Sequence, residues 1–251
     1  MTEGGNIYFA SDFHLGSDAE MPSKDREKII VSWLDKIEND AAALYLMGDI
    51  FDYWFEYAEV APRGFLLLLG KLAQMRMKGI PIFFFTGNHD MWVFDYLKDE
   101  IGMQIISKPV VKKIKGKNFL LAHGDGLGKV PFGDRLMKAA FSNKILQWLF
   151  ARIHPNSGIR IMKFFSNLSR KSHKGYDENF IATKEYLVGY SEDFLKNDNN
   201  IDYFVFGHRH IPVIHLLSNG ESKMINLGDW ISNFTYGIFD GNEFKLEKYE
   251  F

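Results

Sequence analysis

Short runs rich in β-branched and aromatic residues recur along this chain, with helical patterns between the early ones. The runs are IYFASDFH from Ile7, ALYLMGDIFD from Ala43, PIFFFTGNHD from Pro81, NFLLAHGD from Asn118, DYFVFGHRH from Asp202 and KMINLGDW from Lys223. A last stretch, YGIFDGNEFKLEKYEF, places Asp240-Gly241 between two alternating segments, which signals a hairpin. Between the early strands, DREKIIVSWLDKIEND sets Ile29, Trp33 and Ile37 on one helical face. PRGFLLLLGKLAQMRMKG is punctuated by Pro62 near its first turn and Gly79 at its end, and DENFIATKEYLVGYSEDFL reads as a third helix. Such alternation implies an α/β layered fold with both sheet faces covered. At 251 residues the chain suits one domain, residues 1–251, with room for an insertion.

The insertion is marked by charge. From Arg135 to Lys174 there are nine Lys or Arg residues and no Asp or Glu, which leaves 21 basic against 32 acidic residues elsewhere, a formal −11. This segment looks helical and interrupts the strand–helix alternation, so residues 133–174 are expected to form a helical cap. Its basic residues alternate with ILQWLF and IMKFF, a composition suited to an anionic partner: phosphate, nucleic acid or an anionic membrane surface. The plainer alternative is a packed helix pair with solvated basic faces.

No cysteine is present, which excludes disulfides and thiolate metal sites. Any metal must be held by histidine, carboxylate, amide or water. The N-terminal MTEGGNIYFASD has no basic region leading into an apolar run, and GFLLLLG is too short to cross a bilayer, so a soluble cytoplasmic protein is expected.

Five of the strand-like runs end in possible metal ligands: Asp12-Phe13-His14, Gly48-Asp49, Gly87-Asn88-His89-Asp90, His123-Gly124-Asp125 and Gly207-His208-Arg209-His210. Any one of these is ordinary turn punctuation. Together, at the carboxyl edge of a sheet where α/β proteins place their sites, they form a cluster whose burial would cost several kcal/mol unless cations satisfied it.

In this order, D-x-H, G-D, G-N-H-D, H-G-D and G-H-x-H resemble the calcineurin-like metallophosphoesterase superfamily over nearly the whole chain. The resemblance implies a four-layer α-β-β-α sandwich and two divalent metal ions. One ion would be held by Asp12, His14, Asp49 and His210, the other by Asp49, Asn88, His123 and His208, with Asp49 bridging. It further implies that His89 is a catalytic donor to the phosphoryl oxygen or leaving group, oriented by Asp90. Mixed oxygen and nitrogen ligands suit Mn²⁺, with Fe²⁺ or Zn²⁺ possible.

A narrower resemblance rests on LYLMGDIFDYW, the basic-aromatic segment after AHGDGLG, and INLGDW. These are similar to the UDP-2,3-diacylglucosamine diphosphatases of lipid A synthesis. Those are Mn²⁺-dependent cytoplasmic enzymes, peripheral on the inner membrane, that release UMP and 2,3-diacylglucosamine 1-phosphate. The resemblance implies a lid that covers acyl chains, with Trp148, Phe164 and their neighbours Leu149, Phe150 and Phe165. Arg152, Arg160 and Lys163 would face phosphate or headgroups, and Arg170, Lys171 and Lys174 would contact diphosphate and sugar. The chain departs from better-known members in carrying His89 where they have Arg, and GDGLGKVPFGD lacks their acidic run and the ending of a P-loop.

The rival readings are a metallophosphoesterase of other specificity, acting on nucleotides or other phospholipids, and a metal-stabilised scaffold. A scaffold would tolerate missing ligands, whereas every ligand position is filled here. No nucleic-acid partner is expected, since no second domain is present to grip a strand. His154 and His173 read as surface residues and His215 as structural, while Trp54 and Trp230 either wall the site or pack.

Overall fold

The computed structural model describes residues 4–18, 20–128, 132–173 and 180–251, with backbone only at 132–135, 137 and 167–173. Among these residues the strands form two sheets. In the first, β1 (Asn6–Ala10), β2 (Ala41–Leu46), β3 (Ile82–Phe85) and β4 (Gln104–Ile106) run parallel. The antiparallel β10 (Thr235–Phe239) and β11 (Phe244–Lys248) complete the order β11-β10-β1-β2-β3-β4. The second sheet has the order β5-β6-β7-β9-β8, from β5 (Val110–Ile114), β6 (Lys117–Leu121), β7 (Tyr203–Phe206), β8 (Val213–Leu216) and β9 (Lys223–Asn226). Its central β6, β7 and β9 are parallel.

Period-two alternation sorts the side chains into layers. Tyr8, Ala10, Leu44, Leu46, Ile82 and Phe84 bury outward under α1 (Ser23–Ile37) and α2 (Leu66–Met77), against Trp33, Leu34, Leu68 and Leu72. The residues between them, Ile7, Phe9, Ala43, Tyr45, Phe83 and Phe85, face Phe119, Leu121, Tyr203, Val205 and Ile225 of the second sheet. That sheet's outer face, with Leu120, Phe204, Phe206 and Met224, packs on Leu187 and Leu195 of α7 (Tyr186–Leu195). The four layers are helix, sheet, sheet and helix, and strands covered on both faces read as continuous apolar runs. Where the sheets meet, Phe9 stacks on Tyr45 at 4.9 Å and Tyr45 on Phe83 at 4.4 Å. Lys112 closes the stack with its ammonium 3.4 Å from the Phe83 ring centre, a cation–π contact whose partial burial lowers the lysine pKa.

Several elements differ from expectation. In α1 the buried stripe is Ile30, Trp33, Leu34 and Ile37, and Ile29 is only partly covered. α2 starts at Leu66 rather than near Pro62, because Phe65 adopts a left-handed conformation (φ +60°) that breaks the turn before it. Gly79 follows the helix at φ +85°, as its position suggests. The helix expected from residue 177 begins only at Tyr186, where the Glu185 side chain accepts a hydrogen bond from the Leu187 amide. Asp240 and Gly241 do join β10 to β11, with Asp240 Oδ1 accepting from the amides of Asn242 and Glu243.

Between β6 and β7 the chain forms α4 (Phe132–Ser142), the short α5 (Lys144–Phe150) and α6 (Pro155–His173). Asn143 starts α5 by accepting from the amides of Ile145 and Leu146 at 2.9 and 3.2 Å. α3 (Tyr96–Ile101) is anchored differently. The buried Glu56 accepts from the amides of Phe94, Asp95 and Tyr96 through one oxygen and from the Trp54 indole through the other.

Candidate metal centre

The loops after β1, β2, β3, β6 and β7 meet, and tight backbone geometry brings them there. Asp12, His14, Asp49, His208 and His210 have φ between +45° and +68°, a region non-glycine residues rarely occupy. Strain concentrated in this way accompanies functional sites. Glycine is required twice for a different reason: a Cβ at Gly87 would strike the Asp49 carboxylate, and one at Gly207 would strike the side chains of Ser11 and Asp12.

The donor atoms of Asp12, His14 and His210 lie within 4.8 Å of one another, as do those of Asp49, His123 and His208. His210 Nε2 is 3.2 Å from Asp12 Oδ1, and His123 Nε2 is 3.3 Å from Asp49 Oδ2. His14 Nε2 stands 3.7 Å from both carboxylates and joins the two groups. Asp12 Oδ1, His14 Nε2, Asn88 Oδ1 and His123 Nε2 are buried with no hydrogen-bond partner among the described residues. Orphaned polar atoms cost about 1–3 kcal/mol each, and four of them on the loops that carry these donor groups fit cations better than a polar core. Carboxylate, imidazole and amide donors without thiolate match a first-row divalent ion.

Charge is paired in both groups, and against the effect of burial the Asp49 carboxylate raises His123 well above its ordinary value. Burial disfavours the imidazolium of His14 and His210, yet the adjoining carboxylates, Asp12 foremost, raise them to about 9 and about 10. Burial likewise opposes ionisation of Asp12 and Asp49, but the nearby histidines hold both carboxyls well below their ordinary range. His208 is pushed down to about 4 by burial and then by the charge of His123, and burial also lowers His89. Cations entering the cluster must therefore displace protons shared between carboxylate and imidazole.

Outer partners hold the rings. His123 Nδ1 faces the Met47 carbonyl at 2.8 Å, His210 Nδ1 lies 3.4 Å from Asp229 Oδ2, and His14 Nδ1 lies 3.4 Å from Asp52 Oδ1. Sequence reasoning missed Asp229 and Asp52. Asp229 stands in Gly228-Asp229 after β9, the same strand-end pattern that marks Asp49, so the signal was available. Asp52 had none beyond its place three residues after Asp49.

Asp90 does not orient His89. Its Oδ1 accepts from the amides of Gly87 (2.7 Å) and Asp49 (3.3 Å), and its Oδ2 from those of Ile50 (2.8 Å) and Phe51 (3.3 Å), so it shapes the Asp49 loop instead. His89 is held by other atoms. Its amide donates to Asp49 Oδ1 at 2.9 Å, its Nδ1 donates to the Asp52 carbonyl at 3.0 Å, and its ring lies edge-on to His14. A proton on Nδ1 leaves Nε2 for chemistry. A donor atom of His89 also falls within 4.8 Å of those of His14 and Asp49, so proximity alone does not separate catalyst from ligand.

Of the residues expected to bind substrate, the two whose side chains are described, Trp148 and Phe164, lie exposed on the helices after β6. Ile159, Met162 and Ser166 form the packed face of α6, whereas Phe164 is 64% exposed on the opposite side. Trp148 is also exposed and stacks under the Arg152 guanidinium, 4.6 Å away. The side chains of Arg170, Lys171 and His173, and the whole of Lys174, lie outside the described residues. Trp54 and Trp230 are fully buried in the core beneath α1 and α2, which makes them packing residues. His154 is exposed, and His215 is half-buried against Phe180.

Comparison with known proteins agrees with this geometry. The model of the calcineurin-like phosphoesterase family matches residues 5–212. A UDP-2,3-diacylglucosamine hydrolase of Porphyromonas gingivalis (strain ATCC BAA-308 / W83) is 36% identical, with 97% of each chain aligned. Proteins of the same name from Vibrio atlanticus (strain LGP32) and Aeromonas salmonicida (strain A449) are 30% and 27% identical; they align over 97% and 96% of this chain and 97% and 92% of their own. The chain belongs to the calcineurin-like phosphoesterase family.

Proposed function

We propose that the protein is a metal-dependent hydrolase that cleaves the pyrophosphate of UDP-2,3-diacylglucosamine, releasing UMP and 2,3-diacylglucosamine 1-phosphate for lipid A synthesis. The observation that carries this reading is the junction of the buried donor cluster with a narrow apolar cleft. Tyr53, Phe55, Tyr57, Ile159 and Met162 line the cleft. Tyr53 follows Asp52, which touches His14, and Met162 lies one turn before Ser166, whose hydroxyl reaches Asp52. A substrate with a charged pyrophosphate and apolar chains needs both surfaces in contact.

Asp12, His14, Asp49 and His210 would hold one divalent ion, and Asp49, Asn88, His123 and His208 a second, with Mn²⁺ the expected metal. Such ions, when bound, supply Lewis acidity and a water acidic enough to act as nucleophile near neutral pH. In the hydrolysis, the water oxygen bonds to the α-phosphorus, the bridging P–O bond breaks, and its electrons leave with the sugar phosphate. His89, once protonated on Nε2, donates to a phosphoryl or leaving oxygen, while Nδ1 stays on the Asp52 carbonyl. Asp90 keeps the Asp49 loop in place through its amide contacts. The segment α4–α6, residues 133–174 of the sequence, acts as a cap inserted in a single domain and covers the acyl chains of the substrate.

The outer surface of the cap supports peripheral contact with an anionic membrane. Ile145, Trp148, Leu149 and Phe164 are at least half exposed, among Lys144, Arg152 and Arg160. No described helix is long and apolar enough to cross a membrane. Arg170, Lys171 and Lys174 would meet the diphosphate and sugar.

The test is UMP release from UDP-2,3-diacylglucosamine by metal-stripped protein, with and without Mn²⁺, beside bis-p-nitrophenyl phosphate. Mn²⁺-dependent UMP release with weak action on the small diester is expected. Turnover of the small diester alone would overturn the substrate assignment.

A further inference from the structure

Two buried side chains outside the ligand set touch across the boundary between the metal cluster and α6. Asp52 is 2% exposed and Ser166 is 6% exposed. The Ser166 hydroxyl donates to Asp52 Oδ2 at 2.7 Å. The other carboxylate oxygen lies 3.4 Å from His14 Nδ1 and 3.8 Å from His89 Nδ1, and the Asp52 carbonyl accepts from His89 Nδ1 at 3.0 Å. At 3.4 Å the contact with His14 is an electrostatic one rather than a well-formed hydrogen bond. Asp52 thus faces a candidate ligand, a candidate catalyst and the helix that covers them.

Among the described residues, hydrogen bonds at Lys138 and at the Phe141 carbonyl also tie α4 to the core, and neither involves a candidate ligand. Lys138 of α4 pairs with Asp125 at 2.6 Å, but its side chain is half exposed, so water can replace that contact. The Trp92 indole donates to the Phe141 carbonyl at 2.7 Å, within the apolar group that includes Phe55 and Phe150. The Ser166–Asp52 bond is dry, and without it a carboxylate oxygen loses a buried donor that water does not readily restore. That donor also limits where the carboxylate can turn, and hence where its charge meets the His14 ring.

We infer that Asp52 and Ser166 form a positioning link through which the seating of α6 sets the orientation of His14, so that metal retention depends on the helix being docked. The inference rests on reading the cluster as a metal centre. In its terms the cap does more than shelter substrate: lifting α6 loosens a ligand's outer partner, and docking restores it. In this link Ser166 acts through Asp52.

The experiment titrates the metal-stripped full chain with Mn²⁺ by calorimetry, comparing wild type, Ser166→Ala, Asp52→Asn and the double variant, with thermal unfolding of each metal-free protein. Alanine is a good helix former, so Ser166→Ala suits the fold. Loss of an outer partner typically weakens metal binding 10–100-fold, and about tenfold is expected for Ser166→Ala. A larger loss is expected for Asp52→Asn. The double variant should bind no more weakly than Asp52→Asn alone, because the link runs from the hydroxyl through the carboxylate. Wild-type Mn²⁺ affinity in Ser166→Ala, or losses that simply add, would overturn the link while leaving the metal centre intact. Wild-type protein that binds no Mn²⁺ would overturn the metal-centre reading and the link with it. Asp52→Asn, which keeps the side-chain shape, decides the same question should Ser166→Ala unfold early.

Discussion

Asp49 is the residue on which both donor groups depend. Its Oδ2 lies 3.3 Å from His123 Nε2 and 3.7 Å from His14 Nε2, and its Oδ1 accepts from the His89 amide. Removing it cannot be a local change. Asp49→Ala is expected to lose both ions, which elemental analysis after desalting would show, and two ions retained would contradict a shared ligand. His89 differs because it is held by the Asp49 carboxylate on its own amide and the Asp52 carbonyl on its ring, and its Nε2 is in neither contact. His89→Ala should therefore keep two ions and lower turnover by about 10²–10⁴, the range for an acid–base group. An ion lost together with the ring would instead make His89 a ligand.

At the scale of elements, the two outer helices α1 and α2 are joined by a buried ammonium. Lys71 of α2 is 6% exposed and pairs with Asp35 of α1 at 2.5 Å and with Glu38, which ends that helix, at 2.7 Å. Lys78 reaches the same Glu38 oxygen at 3.0 Å. Hydrogen bonds from Lys71, then Lys78, lower the Glu38 carboxyl below its ordinary value. A carboxyl depressed in the folded state stabilises above its unfolded pKa, and that contribution fades as pH falls through the folded value. Glu38→Gln should thus unfold at a lower temperature than wild type at pH 7, and melting curves below about pH 4 should converge. A difference independent of pH would assign the effect to packing. The same elements show what was legible in the chain. Strands covered on both faces and ending in candidate ligands were readable, because burial and chemistry both mark them. β4 is only three residues long, and β5 carries Lys112 and Lys113, so neither has an apolar signature. The start of α2 depends on the backbone of Phe65, and the partners of Asp90 are amides; side-chain identity records neither. Asp52 became visible only when α6 placed Ser166 against it.

For the whole molecule, the basic block from Arg135 to Lys174 contrasts with a remainder of formal charge −11. An anionic surface repels most of this protein and attracts one region, so electrostatics orients it before any apolar contact forms. Each Lys or Arg near such a surface contributes about 1 kcal/mol at physiological ionic strength, which alone gives weak, salt-sensitive binding. The exposed Trp148, Leu149 and Phe164 lie where apolar insertion would add to that. Trp33, Trp54, Trp92 and Trp230 are all buried, so a change in tryptophan emission on vesicles reports Trp148. Vesicles containing anionic lipid should quench that emission when brominated lipids are included, and zwitterionic vesicles should leave it unchanged. Raising the salt should weaken the effect, and Phe164→Glu should weaken partitioning at least tenfold, since it puts an anion where an apolar ring would insert. UMP release from a soluble short-chain substrate should remain close to wild type in that variant, because Phe164 points away from the packed face of α6. Equal emission on both kinds of vesicle would detach the exposed aromatic face from the membrane and leave acyl-chain contact within the cleft as the cap's role.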